Sequence, residues 1–203
     1  MGTDVSASVI NNSLLLYDLL FGCAKIVNSN ATEAVTGVPT RYQSTTSTNP
    51  DYIGGNFLFI QVGGTALAAT AHNHTVVLYT DQAAASSTMP SLTGNASAIV
   101  RRLDHPVQQW FAPLESGDVG IRTLTQMQHS AAIATGVLWY MIGHPLGFMS
   151  FPVINSLFPF DWLTNRNQAP RVFDGACLAF LEPLKPATGT TTYTGAVWLT
   201  SAA

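Results

Sequence analysis

The chain is a succession of short apolar runs, rich in β-branched and aromatic residues, that are separated by turn residues. We predict a strand for each of these runs: 55–64, 74–81, 97–106, 108–114, 119–128, 136–145, 175–184 and 194–201. Gly, Pro, Asn, Asp and Ser cluster between the runs. Many short strands joined by such turns predict an all-β fold, either a sandwich or a barrel.

One segment departs from this pattern and resembles a helix. Residues 12–22 (NSLLLYDLLFG) begin with capping residues and end at a glycine, so we predict one short N-terminal helix there. At 203 residues the chain is most simply one domain, with two small domains as the alternative. We predict a single β-sandwich domain over residues 1–203, with residues 1–52 as an N-terminal helix, arm and linker and residues 146–172 as an insertion.

Charged residues are scarce in this chain. They make up 9% of the sequence, against roughly 25% in ordinary soluble domains. The predicted strands FLFIQV, TVVLYT, VLWYMI and ACLAFL are apolar on both sides, and such strands need cover on both faces. The N-terminal segment, the insertion and a neighbouring subunit are the three candidates for this cover, and a neighbouring subunit also accounts for the scarcity of charge. We therefore expect a homo-oligomer, specifically a trimer.

Charge and hydropathy also argue against two classes of partner. The net charge is −3, which provides no basic surface for nucleic acid. The most apolar window, residues 146–163, contains two prolines and an aspartate, so its backbone would not be satisfied as a membrane helix. The start MGTDVSASVI lacks the basic region of a secretory signal. We expect neither a nucleic-acid partner nor a membrane partner.

Histidines form the one pattern that resembles a metal site. His72 and His74 are two residues apart, and on a strand both would face the same side, as a pair of metal ligands requires. No Cys, Asp or Glu stands next to them, so we interpret them as loop or edge histidines. The chain also lacks a phosphate-binding loop, a nucleophile elbow and a CxxC pair. We predict no catalytic residue, no metal, no cofactor and no enzymatic activity, and we interpret Cys23 and Cys177 as buried thiols, with one disulfide as the alternative.

An acidic turn leads directly into a predicted strand at residues 115–130 (ESGDVGIRTLTQMQHS). Asp118 and the glycine before it are turn residues, and Gly120 permits a close approach of the backbone. A catalytic pair of carboxylates would have to face one pocket, whereas Glu115 and Asp118 flank a turn. We therefore predict a structural corner of Glu115, Asp118 and Arg122, in which Arg122 pairs with one of the carboxylates.

The segment 150–170 (SFPVINSLFPFDWLTNRNQAP) is too apolar to be a free loop, and its three prolines exclude a long regular element. Because interface energy concentrates in buried aromatic residues, we predict an inter-subunit or capsid contact here. The predicted anchors are Phe158, Phe160 and Trp162. Asp161 is expected to pair with Arg166 or Arg171 at the rim. Alternatively, the aromatic residues are exposed and stack on a sugar.

Four motifs follow one another along about two-thirds of the chain: LYDLL (16–20), GVPTRY (37–42), FAPLESGDVGIRTLTQMQHS (111–130) and GVLWYMIGHPLGFM (136–149). This succession resembles a widespread group of small virion proteins of tailed bacteriophages. Their usual form is an LYDRL-like start, an RY segment, a block around AGDxGVRS and a strand that ends in RPL. The first motif lacks the arginine of that group, and His144 stands where the group has arginine.

The resemblance implies a structural role in a phage particle, because the similar proteins are mostly head or virion components. It implies a jelly-roll-like antiparallel β-sandwich that acts as a capsid decoration or cement protein and stabilises the shell through protein–protein contacts. The implied location is the virion, after synthesis in the host cytoplasm. The implied partners are the major capsid protein or other virion proteins. A receptor- or glycan-binding module of a tail or spike is the alternative.

Overall fold

The computed structural model describes residues 2–8, 12–106, 109–161, 170–182 and 192–198. Throughout these ranges the regular secondary structure is β-strand, and no helix is present in them. The strands are organised in antiparallel sheets. The prediction of an all-β, antiparallel fold is confirmed.

The strands follow one another along the chain with short connections between most of them. They are β1 (Gly2–Ala7), β2 (Asn12–Ile26), β3 (Glu33–Ala34), β4 (Phe57–Val62), β5 (Asn73–Asp81), β6 (Ser86–Thr88), β7 (Leu92–Thr93), β8 (Ile121–His129), β9 (Val137–Phe151), β10 (Phe158–Asp161), β11 (Leu178–Leu181) and β12 (Tyr193–Trp198).

Three sheets are formed from these strands. One has the order β10–β1–β12, a second has the order β11–β2–β9–β4, and the third has the order β3–β8–β5–β6, with β7 also paired to β5. In the third sheet, β5 is thus an interior strand with β8 on one side and β6 and β7 on the other. The register of β5 against β8 shifts at three places, and such bulges bend a strand and change the direction of its side chains.

The chain divides into two compact units. Unit 1 comprises residues 1–18 and 145–203, and unit 2 comprises residues 19–144. The hydrophobic core of unit 2 combines the inward side chains of β4 and β9 with those of β5 and β8. Its members from these strands are Leu58, Ile60, Val62, Val77, Tyr79, Ile121, Leu124, Met127, Leu138, Tyr140 and Ile142.

The predicted N-terminal helix over residues 12–22 is wrong, because this segment is the first part of β2. All six residues from Ser13 to Asp18 are buried, so the run has no exposed face that a helical period would reveal. Leu15–Asp18 pair with β11 in antiparallel register. A continuous apolar run of this kind fits a fully buried strand as well as a helix, and periodicity alone does not distinguish them.

Most of the other predicted strands coincide with observed ones, but two do not. β4, β5, β8, β9, β11 and β12 lie at the predicted places. Residues 97–106 form no strand, because Ser97 (φ 61°) and Arg101 (φ 65°) adopt the left-handed conformation, which no β-strand contains. Residues 109–114, the described part of the run 108–114, also form no strand.

The chain itself covers both faces of β4. Leu58 and Ile60 belong to the core of unit 2, whereas Phe57 and Phe59 lie on the opposite face and are also buried. The ring of Phe111 packs against Phe57 with 4.2 Å between the centroids. The doubly apolar pattern of this strand is thus accounted for within one subunit, and it does not by itself require a neighbouring copy.

Unit 1 contains the segment that was predicted to be an apolar insertion. Part of it is strand β10, which pairs with β1 so that Val5 faces Phe158 and Gly2 faces Asp161. The turn before β10 exposes three apolar side chains: Val153, Ile154 and Leu157.

Candidate functional site

Among the described residues, the main group of buried side chains that can bind metals or protons is a cluster of histidines and one aspartate in unit 2. His74 lies in β5, His72 immediately precedes this strand, and the two side chains are on the same side of it, as their spacing predicted. Both are buried. The interpretation as loop or edge histidines fits the position of His72, which precedes the strand, but is wrong for His74, which pairs with both β7 and β8. β5 is an interior strand, and its beginning is covered.

Asp104 reaches the two histidines from a distant part of the sequence. The segment before it lies against β4, where Arg101 N donates to Val62 O and Asp104 N donates to Ile60 O. These bonds at 2.9 and 2.8 Å hold the segment alongside the strand. The carboxylate of Asp104 is thereby placed against His72 and His74, about 30 residues from either in sequence.

Three ligand-type atoms converge within this cluster. Asp104 Oδ2 lies 2.8 Å from His72 Nε2 and 3.1 Å from His74 Nε2. The three atoms all lie within 4.8 Å of one another. The side chains of all three residues are fully buried, so the cluster is suited to tie elements together or to hold a small ion, rather than to receive an organic substrate.

The opposite atom of each of these three side chains has its own partner. His72 Nδ1 is 3.0 Å from Thr70 O, and His74 Nδ1 is 2.7 Å from Tyr140 Oη. The other oxygen of the carboxylate, Asp104 Oδ1, accepts a hydrogen bond from Asn95 N at 2.7 Å. The orientation of every ring and of the carboxylate is therefore fixed from outside the cluster.

Burial and hydrogen bonding act against each other on the acid–base properties of this cluster. Burial alone would lower the pKa of His72, but its hydrogen bonds to Asp104 and Thr70 raise this pKa above the usual value. Burial alone would raise the pKa of Asp104, yet the hydrogen bonds from His72 and His74 hold it well below the usual value. Asp104 is thus a carboxylate at neutral pH.

His105 belongs to the framework of the cluster. Ile60 N donates to His105 Nε2 at 2.9 Å, so Nδ1 carries the proton and donates to Gln109 O at 3.2 Å. Burial, followed by the charge of His74, lowers the pKa of His105 to about 4. Both of its nitrogens are occupied, and the residue joins β4 to the segment after it as a neutral side chain.

His129 has one occupied and one unoccupied nitrogen. It lies at the end of β8 as the cross-strand partner of His74, and its ring centroid is 6.3 Å from that of His72. Nδ1 donates to Ala131 O at 2.7 Å. Nε2 is buried and has no hydrogen-bond partner. Because Nδ1 holds the proton, Nε2 presents an unshared lone pair inside the protein.

The predicted acidic corner contains Glu115 and Asp118 with an unpredicted partner. Tyr79 donates from its hydroxyl to Asp118 Oδ2 at 2.6 Å, and the same hydroxyl accepts from Glu115 N at 2.7 Å. Glu115 Oε2 in turn accepts from Thr88 N at 3.0 Å. The described contacts of the two carboxylates thus do not include Arg122, which is half-buried on β8.

The turn of this corner has the geometry that its glycines predict. Asp118 N donates to Glu115 O at 3.0 Å, and Gly117 has a φ of 98°, a conformation that glycine adopts without strain. A Cβ at Gly120 would collide with the carbonyl oxygen of Ile53. The close approach of two backbone segments therefore requires glycine at this position.

The predicted interface residues are only partly described. Phe158 and Phe160 lie in β10, where their backbones pair with β1, and Asp161 is exposed at the end of this strand. Trp162 and Arg166 lie outside the described residues. Arg171 lies over the ring of Phe173, 4.0 Å from its centroid.

Residues of the first, second and fourth phage-like motifs occupy buried or half-buried positions. In unit 1, Asp18 accepts a hydrogen bond from Cys177 N at 2.9 Å, next to β11. In unit 2, Tyr42 stacks on His144 with centroids 3.8 Å apart. Asn56 joins this pair, since it donates to Tyr42 O and its Oδ1 lies 2.7 Å from His144 Nδ1.

Comparison of the chain with protein-family models, with curated proteins and with solved structures finds no match. In the described part of the chain there is also no helix of the length and hydropathy that crossing a membrane requires. The functional interpretation therefore depends on the residues themselves.

Sequence reasoning found the histidine pair but missed the residues that complete the cluster. Asp104, Tyr140 and His129 are far from His72 in sequence. No local signal distinguishes them, because Asp104 stands in the charged run RRLDHP (101–106) and His129 in the polar run TQMQHS (125–130).

Proposed function

We propose that this chain is a structural component of a bacteriophage particle, a capsid decoration or cement protein that stabilises the shell through protein–protein contacts. One observation carries this interpretation. Each of the four motifs that resemble phage virion proteins supplies side chains that hold the fold together: Asp18, Tyr42, Asp118 and His144. Motifs of this kind are what a structural subunit needs.

The exposed apolar turn before β10 supports a role in protein contacts. Val153 is 57% exposed and Leu157 is 59% exposed, with Ile154 between them. Apolar side chains that lie close together on a surface mark interaction sites more often than isolated ones do. This turn belongs to the segment that was predicted to contact a neighbouring subunit or the capsid.

The remaining parts of this interpretation are the assembly and the finer architecture. We propose a homo-oligomer, specifically a trimer, that binds the major capsid protein or another virion protein and resides in the virion. We also propose a jelly-roll-like sandwich. It is supported by the shared core of unit 2, to which β4 and β9 contribute from one sheet and β5 and β8 from another.

The decisive experiment locates the protein on particles. Antibodies against the recombinant chain should label phage heads in immunogold electron microscopy at many sites per particle. Heads from a phage that lacks the gene should be less resistant to heating, and added protein should restore their resistance. Recovery of the protein only in the soluble fraction of a lysate, with unlabelled particles, would refute a virion role.

A matched pair of variants tests whether the exposed turn makes the contact. Leu157→Ser should weaken binding to heads, because its side chain is exposed and its loss does not disturb the core. Val38→Ser alters an equally exposed residue of unit 2, at 59% exposure, and should bind like the wild type. Equal binding by both variants would place the contact elsewhere.

The alternative, a receptor- or glycan-binding module, depends on Phe158, Phe160 and Trp162 as an exposed aromatic surface. A glycan array with the recombinant protein tests it directly. Specific binding that is lost in Trp162→Ala, together with unlabelled heads, would favour this alternative.

A further inference from the structure

The buried cluster has the arrangement of donor atoms that a metal site requires. His72 Nε2, His74 Nε2 and Asp104 Oδ2 are directed towards one another within 4.8 Å. The outer atom of each side chain is bound to Thr70 O, Tyr140 Oη or Asn95 N. Ligand side chains in metal sites are oriented by outer partners of this kind, which also fix which nitrogen of each ring is free to bind.

A second proton on His72 and a metal ion are alternative ways to satisfy the contact between His72 and Asp104. Thr70 O only accepts hydrogen bonds, so His72 Nδ1 donates to it. His72 Nε2 then faces a carboxylate oxygen, which also only accepts. A hydrogen bond there requires a second proton and a positively charged ring. A metal ion between Nε2 and the carboxylate satisfies both atoms with a neutral ring, which is the form that binds metals.

His129 borders the cluster without joining it. Its Nδ1 is held by Ala131 O, and its ring lies beside that of His72, with centroids 6.3 Å apart. In the described residues, the ligand-type atoms that converge within 4.8 Å are those of His72, His74 and Asp104.

Gly94 packs closely against the His72 ring. A Cβ at this position would collide with the ring at Nε2. The backbone of Gly94 is held there by its hydrogen bond to His72 O at 3.0 Å. The position of the His72 ring therefore requires glycine at residue 94.

We propose that His72, His74 and Asp104 form a buried binding site for a divalent transition-metal ion, Zn2+ in the first place. Two imidazoles and one carboxylate suit Zn2+, whereas Ca2+ and Mg2+ require more oxygen ligands. Bonds of about 2.0–2.2 Å in a tetrahedral site place the ligand atoms about 3.3 Å apart. The contacts of Asp104 Oδ2 at 2.8 and 3.1 Å therefore open by only a few tenths of an ångström.

The site is structural and closed to an organic substrate. The side chains of His72, His74 and Asp104 are all buried, and structural zinc sites are closed in this way. The ion joins β5 and the residues just before it to the segment that contains Asp104. It therefore stabilises the folded state of unit 2 in proportion to its concentration.

The experiment measures metal bound to the untagged recombinant protein. The protein is stripped with a chelator and then dialysed against Zn2+. We expect one Zn2+ per chain by inductively coupled plasma mass spectrometry. At a Zn2+ concentration about 100 times the Kd, we expect the melting temperature to rise by about 5–10 °C. A wild-type protein that binds no stoichiometric Zn2+ would overturn the site, and the cluster would then be a hydrogen-bonded pair of a charged His72 and Asp104.

Variants and spectroscopy identify the ligands. Asp104→Asn and His72→Gln should lose the bound Zn2+ and the rise in melting temperature. His144→Gln replaces a histidine outside the cluster and should bind like the wild type. Should the cluster variants not fold, X-ray absorption of the wild-type Zn2+ complex decides. Imidazole and carboxylate ligands at about 2.0–2.2 Å support the site, whereas a shell of water or sulfur overturns it.

Discussion

Replacement of Tyr79 by phenylalanine removes one oxygen atom and keeps the buried ring, so it isolates the hydrogen bonds of the acidic corner. The hydroxyl donates to Asp118 at 2.6 Å and accepts from Glu115 N at 2.7 Å. In the variant, both partners depend on water alone. We therefore expect a loss of stability without a change of fold.

The expected loss of stability in Tyr79→Phe follows from the two hydrogen bonds and from the exposure of their partners. A hydrogen bond to a charged group contributes about 1.5–3 kcal/mol, and one between neutral groups about 0.5–1.5 kcal/mol. Asp118 is half-buried and Glu115 is exposed, so water replaces part of each bond and the loss lies at the lower end, about 2 kcal/mol. For a chain of this length, that lowers the melting temperature by about 4–8 °C.

The assay is thermal unfolding of Tyr79→Phe beside Arg122→Ala. The arginine has no described contact with the two carboxylates, so its removal should change stability by less than about 0.5 kcal/mol. A larger loss in Arg122→Ala than in Tyr79→Phe would refute the corner as described. It would restore the arginine as the partner that the sequence predicted.

The difference in stability between the wild type and Tyr79→Phe has a defined dependence on pH. Burial, and then the hydrogen bond to Asp118, raise the pKa of Tyr79 above 10. The folded state thus favours the protonated hydroxyl. The contribution of Tyr79 is fully present below the pKa of about 10 that it has in the unfolded chain, and it is lost as the pH rises through the raised pKa. The difference in stability between wild type and Tyr79→Phe should therefore be constant between about pH 6 and 9.

Three further predictions concern other parts of the chain. Gly120→Ala should lower the free energy of unfolding, measured in urea, by about 1–3 kcal/mol, because backbone atoms lie where the Cβ would be. The control Gly64→Ala has open space around it and should be nearly neutral. Equal effects of the two substitutions would contradict this packing. Burial, and then the charge of Glu33, raise the pKa of the Cys23 thiol to about 11. At pH 8 a thiol reagent should therefore modify the exposed Cys177 quickly and Cys23 slowly, and the rate at Cys23 should rise about tenfold per pH unit up to that value; rapid modification of both thiols would be inconsistent with this burial. Light scattering at micromolar concentration should give a mass above the 21.6 kDa of the monomer, and a clean monomer would remove the expectation of a trimer.

The sequence was informative where a strand has its own β-branched and aromatic character. Residues 74–81 were predicted as a strand, and β5 covers residues 73–81. Residues 119–128 were predicted as a strand, and β8 covers residues 121–129 with buried and partly exposed positions in succession. In both cases the composition of the run and the turn residues beside it determine the element locally.

Predictions failed where distant parts of the chain decide the outcome. The segment 12–22 is a strand because β11 and β9 provide partners for it, and neither is visible in its own residues. The segment 97–106 lies along β4 through a few backbone bonds, but its left-handed residues prevent a continuous strand. The same segment contains Asp104, so the contact of Asp104 with His72 and His74 could not be predicted from the sequence either. The formation of the cluster depends on this long-range contact.

The position of β1 in its sheet has a consequence for the order in which the protein matures. β1 is synthesised long before β10 and β12, yet it lies between them, pairing Val5 with Phe158 and Ala7 with Tyr193. Unit 2 is contiguous in sequence and is able to close before these partners have been synthesised. Throughout that interval both edges of β1 are unpaired and open to strands of neighbouring nascent chains. On a crowded polysome β1 is therefore exposed to exchange between copies.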